Sequence, residues 1–205
     1  MTSLLLIRHA ETNMAGRFCG HSDPELNRRG RQQFAGLIDA LSAHSIRRVY
    51  SSDLRRSRQT ADAIAKHFGT ELYLRPGLRE INFGQWEGLS WKEIETRDPI
   101  SAKTWVSEYP DSTAPGGEPF HEFVSRIDQE ISFLLEEAGK LPIAVVTHAG
   151  FIRTVLTSRC GISQDEAWNR TKEYGSIVVL DASDVDRPKI QNFHSVSTDR
   201  LPSGA

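Results

Sequence analysis

The sequence of 205 residues has few cysteines, a nearly balanced charge and no long apolar run. Its two cysteines, Cys19 and Cys160, cannot build the disulfide framework that holds many small secreted domains together. The net charge of -2 provides no global attraction for nucleic acid or for an anionic membrane. No apolar run approaches the roughly 18 residues that a membrane-spanning helix requires. We therefore expect neither a nucleic-acid partner nor a membrane partner.

The N-terminal segment also lacks the features of a secretion signal. Its apolar stretch, Leu4–Ile7, is short, and no basic residue precedes it. We therefore expect a cytoplasmic protein. The length allows one large domain and no shift in composition marks a boundary, so we predict a single domain over residues 1–205. A homodimer is compatible with these features.

Short runs rich in Leu, Ile and Val alternate with helical patterns along the chain. Such runs are typical of strands that are covered on both faces of a sheet. The predicted strands are Leu4–Ile7, Val49–Ser51, Leu72–Leu74, Ile143–Thr147 and Ile177–Leu180. The predicted helices run from Arg28 to about Ser42 after an Asn27 cap, from a Ser52 or Asp53 cap to Phe68, and over Phe120–Glu137, Phe151–Arg159 and Ser163–Arg170. This alternation favours an α/β fold whose mostly parallel sheet has helices on both faces.

Two stretches interrupt the alternation. Residues 78–105 carry three of the four tryptophans without a clean period, and residues 109–119 contain three prolines and two glycines. We interpret residues 78–119, approximately, as a cap-like excursion of the single domain. Its aromatic side chains could stack on a flat heteroaromatic ring, or at least two of them could instead hold the excursion on the domain. These side chains are Phe83, Trp86, Trp91 and Trp105.

Polar side chains follow four of the predicted strands. In chain order they are Arg8 and His9, then residues 51–56 with Arg55 and Arg56, then Arg79 and Glu80, and finally Thr147 and His148. Ligands of open parallel sheets bind beyond the carboxyl ends of the strands. We therefore expect two histidines, at least two arginines and one glutamate to converge on one edge of the sheet.

This set of side chains suits phosphoryl chemistry. Paired arginines favour phosphate oxygens, because a guanidinium is planar and permanently charged. A neutral histidine offers a nucleophilic ring nitrogen, and a second histidine can donate a hydrogen bond to the phosphoryl group. A carboxylic acid can protonate the leaving oxygen and then deprotonate an attacking water. Because phosphoryl transfer depends mainly on positioning and charge stabilisation, we predict that no cofactor is needed.

Three alternatives compete with this hypothesis. His9, Cys19, His21 and His148 are zinc-ligand types, but nearby arginines oppose a dication and no CxxC or HExxH spacing occurs, so we predict no metal site. The basic run "RRVYSSDLRRSR" invites a nucleic-acid function, against which the overall charge and the lack of a known module argue. A non-catalytic phosphate-binding or partner-binding protein is the third alternative, although it would need no proton donor.

Four segments resemble, in order and spacing, the signatures of the histidine phosphatase superfamily, the phosphoglycerate mutase-like proteins. They are "LIRHAET", "SSDLRRSRQTA", "LREINFGQWEG" and "VVTHAGFIR", and the match runs from Leu4 to about Arg153 and more loosely to Asp181. The resemblance implies a three-layer α/β/α sandwich. It also implies a cofactor-independent phosphomonoesterase that forms a phosphohistidine intermediate on a small-molecule phosphomonoester.

The resemblance implies a role for each matching residue. His9 resembles the nucleophile, Glu80 the proton donor and His148 the second pocket histidine. Arg8 and Arg56 resemble the two phosphate clamps. Further substrate contacts are implied at the pocket rim and beside the second histidine, by Arg17, Cys19, Gly20 and Ala149.

The sequence departs from the family pattern at a few positions. Ala10 and Ala149 stand where glycine is commoner, and a methyl group is tolerated there if the local φ is negative. Ala15 stands where a phosphate-binding asparagine is often found, and Asn13 is near but out of register. Arg55 lies outside the match. Whether Asn13 replaces the missing asparagine is left open by the sequence.

Within the superfamily, the excursion is similar to that of α-ribazole phosphatases, which act in cobalamin biosynthesis. The similarity lies in "FGQWEGLSWKEI", Trp105 and "PGGEPFHEFVSRI". The pattern FG-x-WEG also occurs in fructose-2,6-bisphosphatase-like and broad-specificity members, so a sugar-phosphate or broad-specificity phosphatase is an alternative. Phosphoglycerate mutase is a further alternative, although mutases usually carry cap insertions and a longer C-terminal segment.

Overall fold

The computed structural model describes residues 3–108 and 111–195. In these residues one sheet contains the strands β1 (Ser3–Arg8), β2 (Arg48–Ser51), β3 (Leu72–Leu74), β4 (Ile143–Thr147), β5 (Ile177–Asp181) and β6 (Lys189–His194). Their order in space is β3-β2-β4-β1-β5-β6. The first four strands of that order pair in parallel, while β5 is antiparallel to β1 and β6 is antiparallel to β5. The prediction of a mostly parallel sheet is confirmed.

Helices cover both faces of this sheet. The α-helices of the described residues are α1 (Arg28–Leu41), α2 (Arg55–Phe68), α3 (Trp91–Arg97), α4 (Pro99–Glu108), α5 (Phe120–Lys140), α6 (Ala149–Ser158) and α7 (Gln164–Thr171). Of these, α3 and α4 pack in a separate cluster, away from the two faces. On one face, Leu5 and Ile7 of β1 pack in a buried cluster with α1 and α2. On the other face, Leu4 and Leu6 pack with α5, α6 and α7. Both faces of β1 are thus buried, which explains its continuous apolar run and confirms the three-layer α/β/α sandwich.

The helix starts agree with the sequence in one case and differ in another. Asn27 caps α1 as predicted, its side chain accepting from the Gly30 amide over 2.7 Å. The prediction that Ser52 or Asp53 caps α2 is wrong. The N-cap residue of this helix is Leu54, which makes no side-chain capping hydrogen bond. The Asp53 carboxylate instead accepts from Arg79 over 2.7 and 2.5 Å. This ion pair takes the capping group away from the helix, and it also keeps Arg79 out of the site.

The excursion contains α3 and α4, which the sequence analysis did not predict. Buried residues of this part form a third hydrophobic cluster: Trp86, Ile94, Ala102 and Ala114. Each of the two helices buries only one residue, so neither shows an apolar stripe of helical period. A signal for α3 was present nonetheless, because Ser90 and Glu93 form a capping box. Residues 109 and 110 of the proposed turn-rich segment lie outside the described residues.

The edge strand β6 was also missed. Its sequence KIQNFH does not alternate cleanly between apolar and polar residues, and most of its side chains are exposed or half-buried. The backbone pairing of β6 with β5 defines this strand instead, and the register of that pairing shifts between Val179 and Leu180. No helix in the described residues has the length and apolar character needed to cross a membrane.

Candidate active site

The polar residues after β1 and β4 lie side by side at the carboxyl edge of the sheet. Arg8 is paired in register with Thr147 across these parallel strands. The His9 amide donates to the Thr147 carbonyl over 3.0 Å. As a result, the imidazole rings of His9 and His148 lie with 5.1 Å between their centroids. The register of one strand pair brings the two histidines into one site.

His9 is held in one tautomer by two neighbours. Its Nδ1 lies 2.7 Å from the Ala10 carbonyl oxygen, which can only accept, so Nδ1 carries the hydrogen. The Arg56 Nε–H donates to Nε2 of His9 over 3.2 Å, so Nε2 carries the lone pair. Burial, together with the charges of Arg56 and Arg8, holds the pKa of His9 well below its usual range. The ring is therefore neutral at neutral pH and carries a nucleophilic nitrogen.

Arg56 has no exposed surface, and the loop between β1 and α1 satisfies its guanidinium. Its Nη1 donates to the Ser22 carbonyl over 2.6 Å. Its Nη2 donates to the carbonyls of Cys19 and Gly20 over 3.1 and 2.7 Å. A buried cation without acceptors would destabilise the fold by several kcal/mol. These carbonyls therefore allow Arg56 to lie beside His9.

Glu87 of the excursion holds this loop in place. Its carboxylate accepts from the amides of Gly20, His21 and Ser22 over 3.1, 2.7 and 3.0 Å. Burial opposes ionisation of Glu87, but its hydrogen bonds outweigh burial and hold its pKa below the usual range. Only glycine fits at position 20, because a Cβ there would lie 2.0 Å from the Ile81 carbonyl oxygen. The excursion is thus bonded directly to the loop that supports Arg56.

Glu80 lies at the N-terminus of α6. Its Oε2 accepts from the Gly150 amide over 2.8 Å, and its Oε1 accepts from the Ile81 amide over 3.0 Å. The positive end of a helix dipole favours a carboxylate at this place. A Cβ on Gly150 would lie 2.2 Å from Oε1 of Glu80, so glycine is needed for this close approach.

Arg8 is oriented by the opposite end of another helix. Its Nη1 donates to the carbonyls of Thr171 and Lys172, at the C-terminus of α7, over 2.9 and 2.5 Å. Its Cζ lies 3.9 Å from the ring centroid of Tyr174. Carbonyls at a helix C-terminus lack intrahelical donors and favour a cation. The Nε of Arg8 is buried and has no partner among the residues that the structure describes.

His148 is buried beside His9 and near Arg56. Its Nε2 lies 3.3 Å from the Ser57 hydroxyl, while its Nδ1 is buried without a partner in the described part of the chain. Burial, reinforced by the charge of Arg56, holds the pKa of His148 well below its usual range. A neutral imidazole has one N–H, which is a donor for a phosphoryl oxygen.

A cavity of about 410 Å³ borders His9. Five further candidate site residues line it: Arg8, Arg17, Cys19, Glu80 and Ala149. The other three candidates, Arg56, His148 and Gly20, lie behind its surface and do not line it. Burial raises the pKa of the Cys19 thiol, so this cysteine is not a competing nucleophile at neutral pH.

The cavity wall is rich in aromatic side chains. Seven of the lining residues are aromatic: Phe18, Phe83, Trp105, Phe120, Phe123, Trp168 and Tyr174. Of the four that the sequence analysis considered for stacking, Phe83 and Trp105 reach the cavity, while Trp86 and Trp91 pack in the cluster of the excursion. Phe83 and Trp105 also pack against that cluster, so all four help to hold the excursion together, and stacking on a ring stays a prediction for the two that reach the cavity.

Several lining residues were missed because no strand end or motif role marked them. They are Thr12, Tyr174 and the wall formed by α6 and α7, which consists of Arg153, Thr154, Thr157, Gln164 and Trp168. Arg153 is the last residue of the fourth signature segment, but the sequence analysis gave it no role. Nothing in the local sequence marks Tyr174, whose contact with Arg8 joins distant parts of the chain.

The departures from the family pattern have clear local outcomes. Ala10 and Ala149 both have negative φ, so their methyl groups impose no backbone strain. Asn13 is exposed and does not line the cavity, whereas its neighbour Thr12 is buried and does. Arg55 pairs with Glu25.

Within residues 3–108 and 111–195, no group of three or more His, Cys, Asp or Glu side chains is arranged to hold a metal ion. The histidines of the site contact each other, Arg56 and Ser57, and the Cys19 thiol lies 3.9 Å from the Met14 sulfur.

Known proteins resemble this chain along most of its length. A family model described as "Histidine phosphatase superfamily (branch 1)" matches residues 4–194. The "Metal-independent phosphoserine phosphatase" of Arabidopsis thaliana is 34% identical over 160 residues, which are 76% of this chain and 67% of that protein. The "Adenosylcobalamin/alpha-ribazole phosphatase" of Escherichia coli strain K12 is 28% identical over 180 residues, which are 87% and 89% of the two chains. The crystal structure of the alpha-ribazole phosphatase from Shigella flexneri superposes with a TM-score of 0.84 at 25% identity, covering 95% of this chain and 97% of that one.

The two neutral histidines predict a specific loss of stability in acid. An unfolded histidine has a pKa of about 6.5, whereas both buried histidines have lower pKa values, so the unfolded chain binds more protons below pH 6.5. When the pH falls from about 7.5 to about 5.5, each of the two therefore lowers the free energy of unfolding by about 1 kcal/mol, provided that its native pKa lies below that range. Urea unfolding at both pH values measures the change.

A His148→Gln variant keeps an amide in place of the ring and removes one of the two titrations. We expect its loss of stability in acid to be smaller than that of the wild type by about 1 kcal/mol. The exposed His121→Gln serves as the control and is expected to behave like the wild type. Equal losses in all three proteins would contradict the assignment of His148 as a buried neutral ring.

Proposed function

This chain belongs to the histidine phosphatase superfamily, and from that premise we propose that it hydrolyses phosphomonoesters through a phosphohistidine formed on His9. The named phosphatases among its relatives establish it as a phosphomonoesterase. The tautomer of His9 is the observation that carries the mechanism. With Nδ1 bonded to the Ala10 carbonyl, the lone pair of Nε2 is the nucleophile, and burial keeps it unprotonated.

In the first step, the Arg56 Nε–H leaves the lone pair of His9 Nε2 for a phosphoryl oxygen, Nε2 attacks phosphorus, and the bond between phosphorus and the ester oxygen breaks. Protonated Glu80 donates its proton to that oxygen, so the leaving group departs as a neutral alcohol. The Gly150 and Ile81 amides fix the position of the Glu80 carboxyl group at the cavity wall. In the second step, the Glu80 carboxylate takes a proton from water as the water attacks phosphorus. The bond between phosphorus and Nε2 breaks, its electron pair returns to Nε2 of His9, and inorganic phosphate leaves.

Charge on the transferred phosphoryl group is stabilised by fixed donors. Arg8 and Arg56 supply guanidinium groups whose positions are set by backbone carbonyls. The neutral His148 supplies an N–H. Two buried nitrogens, Arg8 Nε and His148 Nδ1, have no partner in the described residues. Arg8 Nε is a donor for a phosphoryl oxygen, and His148 Nδ1 is one in the tautomer in which the Ser57 hydroxyl donates to Nε2. No step needs a metal or another cofactor, and one relative is a metal-independent phosphatase by name.

For the substrate we propose α-ribazole 5′-phosphate, a sugar phosphate that carries a flat benzimidazole ring. The relatives that cover most of this chain include proteins named adenosylcobalamin/alpha-ribazole phosphatase. The seven aromatic side chains of the cavity are suited to a flat apolar ring. Phosphoserine, after which other relatives are named, has no ring to use these walls, so we place it second.

The nucleophile is tested by replacing His9. We expect His9→Ala to lose at least about 10³-fold of the activity on 4-nitrophenyl phosphate, because no covalent intermediate can form. Wild-type activity is expected to survive a metal chelator. The exposed His121→Ala is the control and is expected to retain full activity.

Rapid acid-free quenching with radiolabelled substrate traps the intermediate directly. We expect an acid-labile and base-stable adduct on the ring of residue 9. Label on another residue, or activity that zinc restores after chelation, would overturn the phosphohistidine mechanism.

The proton donor is tested by leaving-group dependence. Glu80→Gln keeps one of the two amide contacts, because a carboxamide has a single acceptor oxygen, and it cannot give a proton to the ester oxygen. We expect kcat/KM to fall by about 10²-fold or more for an alkyl phosphate and much less for 4-nitrophenyl phosphate, whose leaving group needs no proton. The control Glu25→Gln changes an exposed surface carboxylate and is expected to affect neither substrate. Equal losses on the two substrates would refute the assignment.

The substrate is tested by a screen of monoesters. It compares α-ribazole 5′-phosphate with phosphoserine, 3-phosphoglycerate, sugar bisphosphates and nucleotides. We expect the highest kcat/KM for α-ribazole 5′-phosphate, by about tenfold or more. Comparable values throughout would identify a broad-specificity phosphatase, and a preference for phosphoserine would replace the proposed substrate while leaving the mechanism intact.

A further inference from the structure

One wall of the cavity is formed by a tryptophan stacked on an arginine. The Cζ of Arg153, on α6, lies 3.8 Å from the ring centroid of Trp168, on α7. The Nε of Arg153 also donates to the hydroxyl of the buried Thr171 over 2.9 Å. Both members of the pair line the cavity. The indole is therefore supported on one face by a guanidinium that is itself anchored to α7.

The exposure of Trp168 is unusual for a side chain held in this way. It is 55% exposed, the largest value among the tryptophans that the structure describes. A single exposed aromatic residue needs no function by itself. This one borders the active-site cavity, and more than half of its surface is open to solvent. A rigid, half-open indole is a stacking surface that loses little side-chain entropy when a ligand covers it.

The same helix also positions the phosphate clamp. The C-terminal carbonyl of α7, at Thr171, accepts from Arg8, while the hydroxyl of that residue accepts from Arg153. One short helix thus holds both the clamp and the stacked pair. Arg8 and Trp168 therefore border the same cavity, and Trp168 lies one helical turn before the residue that holds Arg8.

We propose that Trp168, supported by Arg153, is the specificity-determining platform on which a flat ring of the leaving group stacks. This inference deepens the proposed function and rests on it. The positive charge behind the indole favours a neutral ring and disfavours a cationic one. The Gln164 side chain, at the first turn of α7 and on the same wall, offers an amide donor and acceptor for a heteroatom at the ring edge.

The experiment compares two substrates that differ only in the ring. α-Ribazole 5′-phosphate carries the base, and ribose 5-phosphate presents the same phosphorylated sugar without it. We expect Trp168→Ala to lower kcat/KM for α-ribazole 5′-phosphate about tenfold and to change that for ribose 5-phosphate less than about twofold. Trp168→Phe keeps an aromatic face and is expected to recover most of the loss.

The matched control is Tyr73→Ala, which removes an exposed aromatic side chain on β3 that does not line the cavity. Its kcat/KM is expected to equal the wild-type value with both substrates. Thermal unfolding checks that each variant is folded, and the exposed position of Trp168 predicts little change.

Three outcomes separate the two proposals. Equal losses on both substrates in Trp168→Ala would overturn the platform while leaving the phosphatase mechanism standing. Wild-type enzyme that prefers another ring-bearing monoester, such as a nucleotide, and loses this preference in Trp168→Ala would support the platform and replace the named substrate. A wild type that gains nothing from any ring over ribose 5-phosphate would overturn both the platform and the α-ribazole assignment.

Discussion

A guanidinium with no exposed surface needs acceptors for its polar hydrogens inside the protein, and one acceptor of Arg56 is Nε2 of His9. Its other acceptors are carbonyls of the loop after β1, and that loop is held by the carboxylate of Glu87. The orientation of His9 therefore depends on a residue of the excursion. This explains why the excursion is bonded to the site as well as packed on its own hydrophobic cluster.

Two helix ends complete the electrostatics of the site. Glu80 sits at the N-terminus of α6, where the dipole favours an anion, and Arg8 sits at the C-terminus of α7, where free carbonyls favour a cation. Backbone groups at helix ends thus fix both the Glu80 carboxylate and the Arg8 guanidinium. In return, these side chains supply hydrogen-bond partners that the backbone groups lack within their helices. Positioning of this kind lowers the reorganisation that the reaction requires, which is the main contribution a protein makes to phosphoryl transfer.

The parts of the fold that follow from local pattern were predictable. β4 agrees with its predicted bounds, and Asn27 caps α1, because both depend on residues adjacent in the chain. Failures occurred where a distant partner changed the local outcome. Asp53 does not cap α2 because Arg79 binds its carboxylate, and β6 exists because β5 supplies its hydrogen bonds. The two short helices of the excursion bury too little surface to produce a periodic signal.

The sequence by itself determined which reactive groups follow each strand, since parallel strands necessarily bring their carboxyl ends to one edge of a sheet. The convergence of His9, Glu80 and His148 could be expected on that ground, and the signature segments added their roles. Only the tertiary structure decided that Arg56 faces Nε2 of His9 and which residues of α6 and α7 line the cavity. The physical reason is distance along the chain: the bond between Arg8 and Thr171 joins positions 163 residues apart, and no local pattern encodes such a contact.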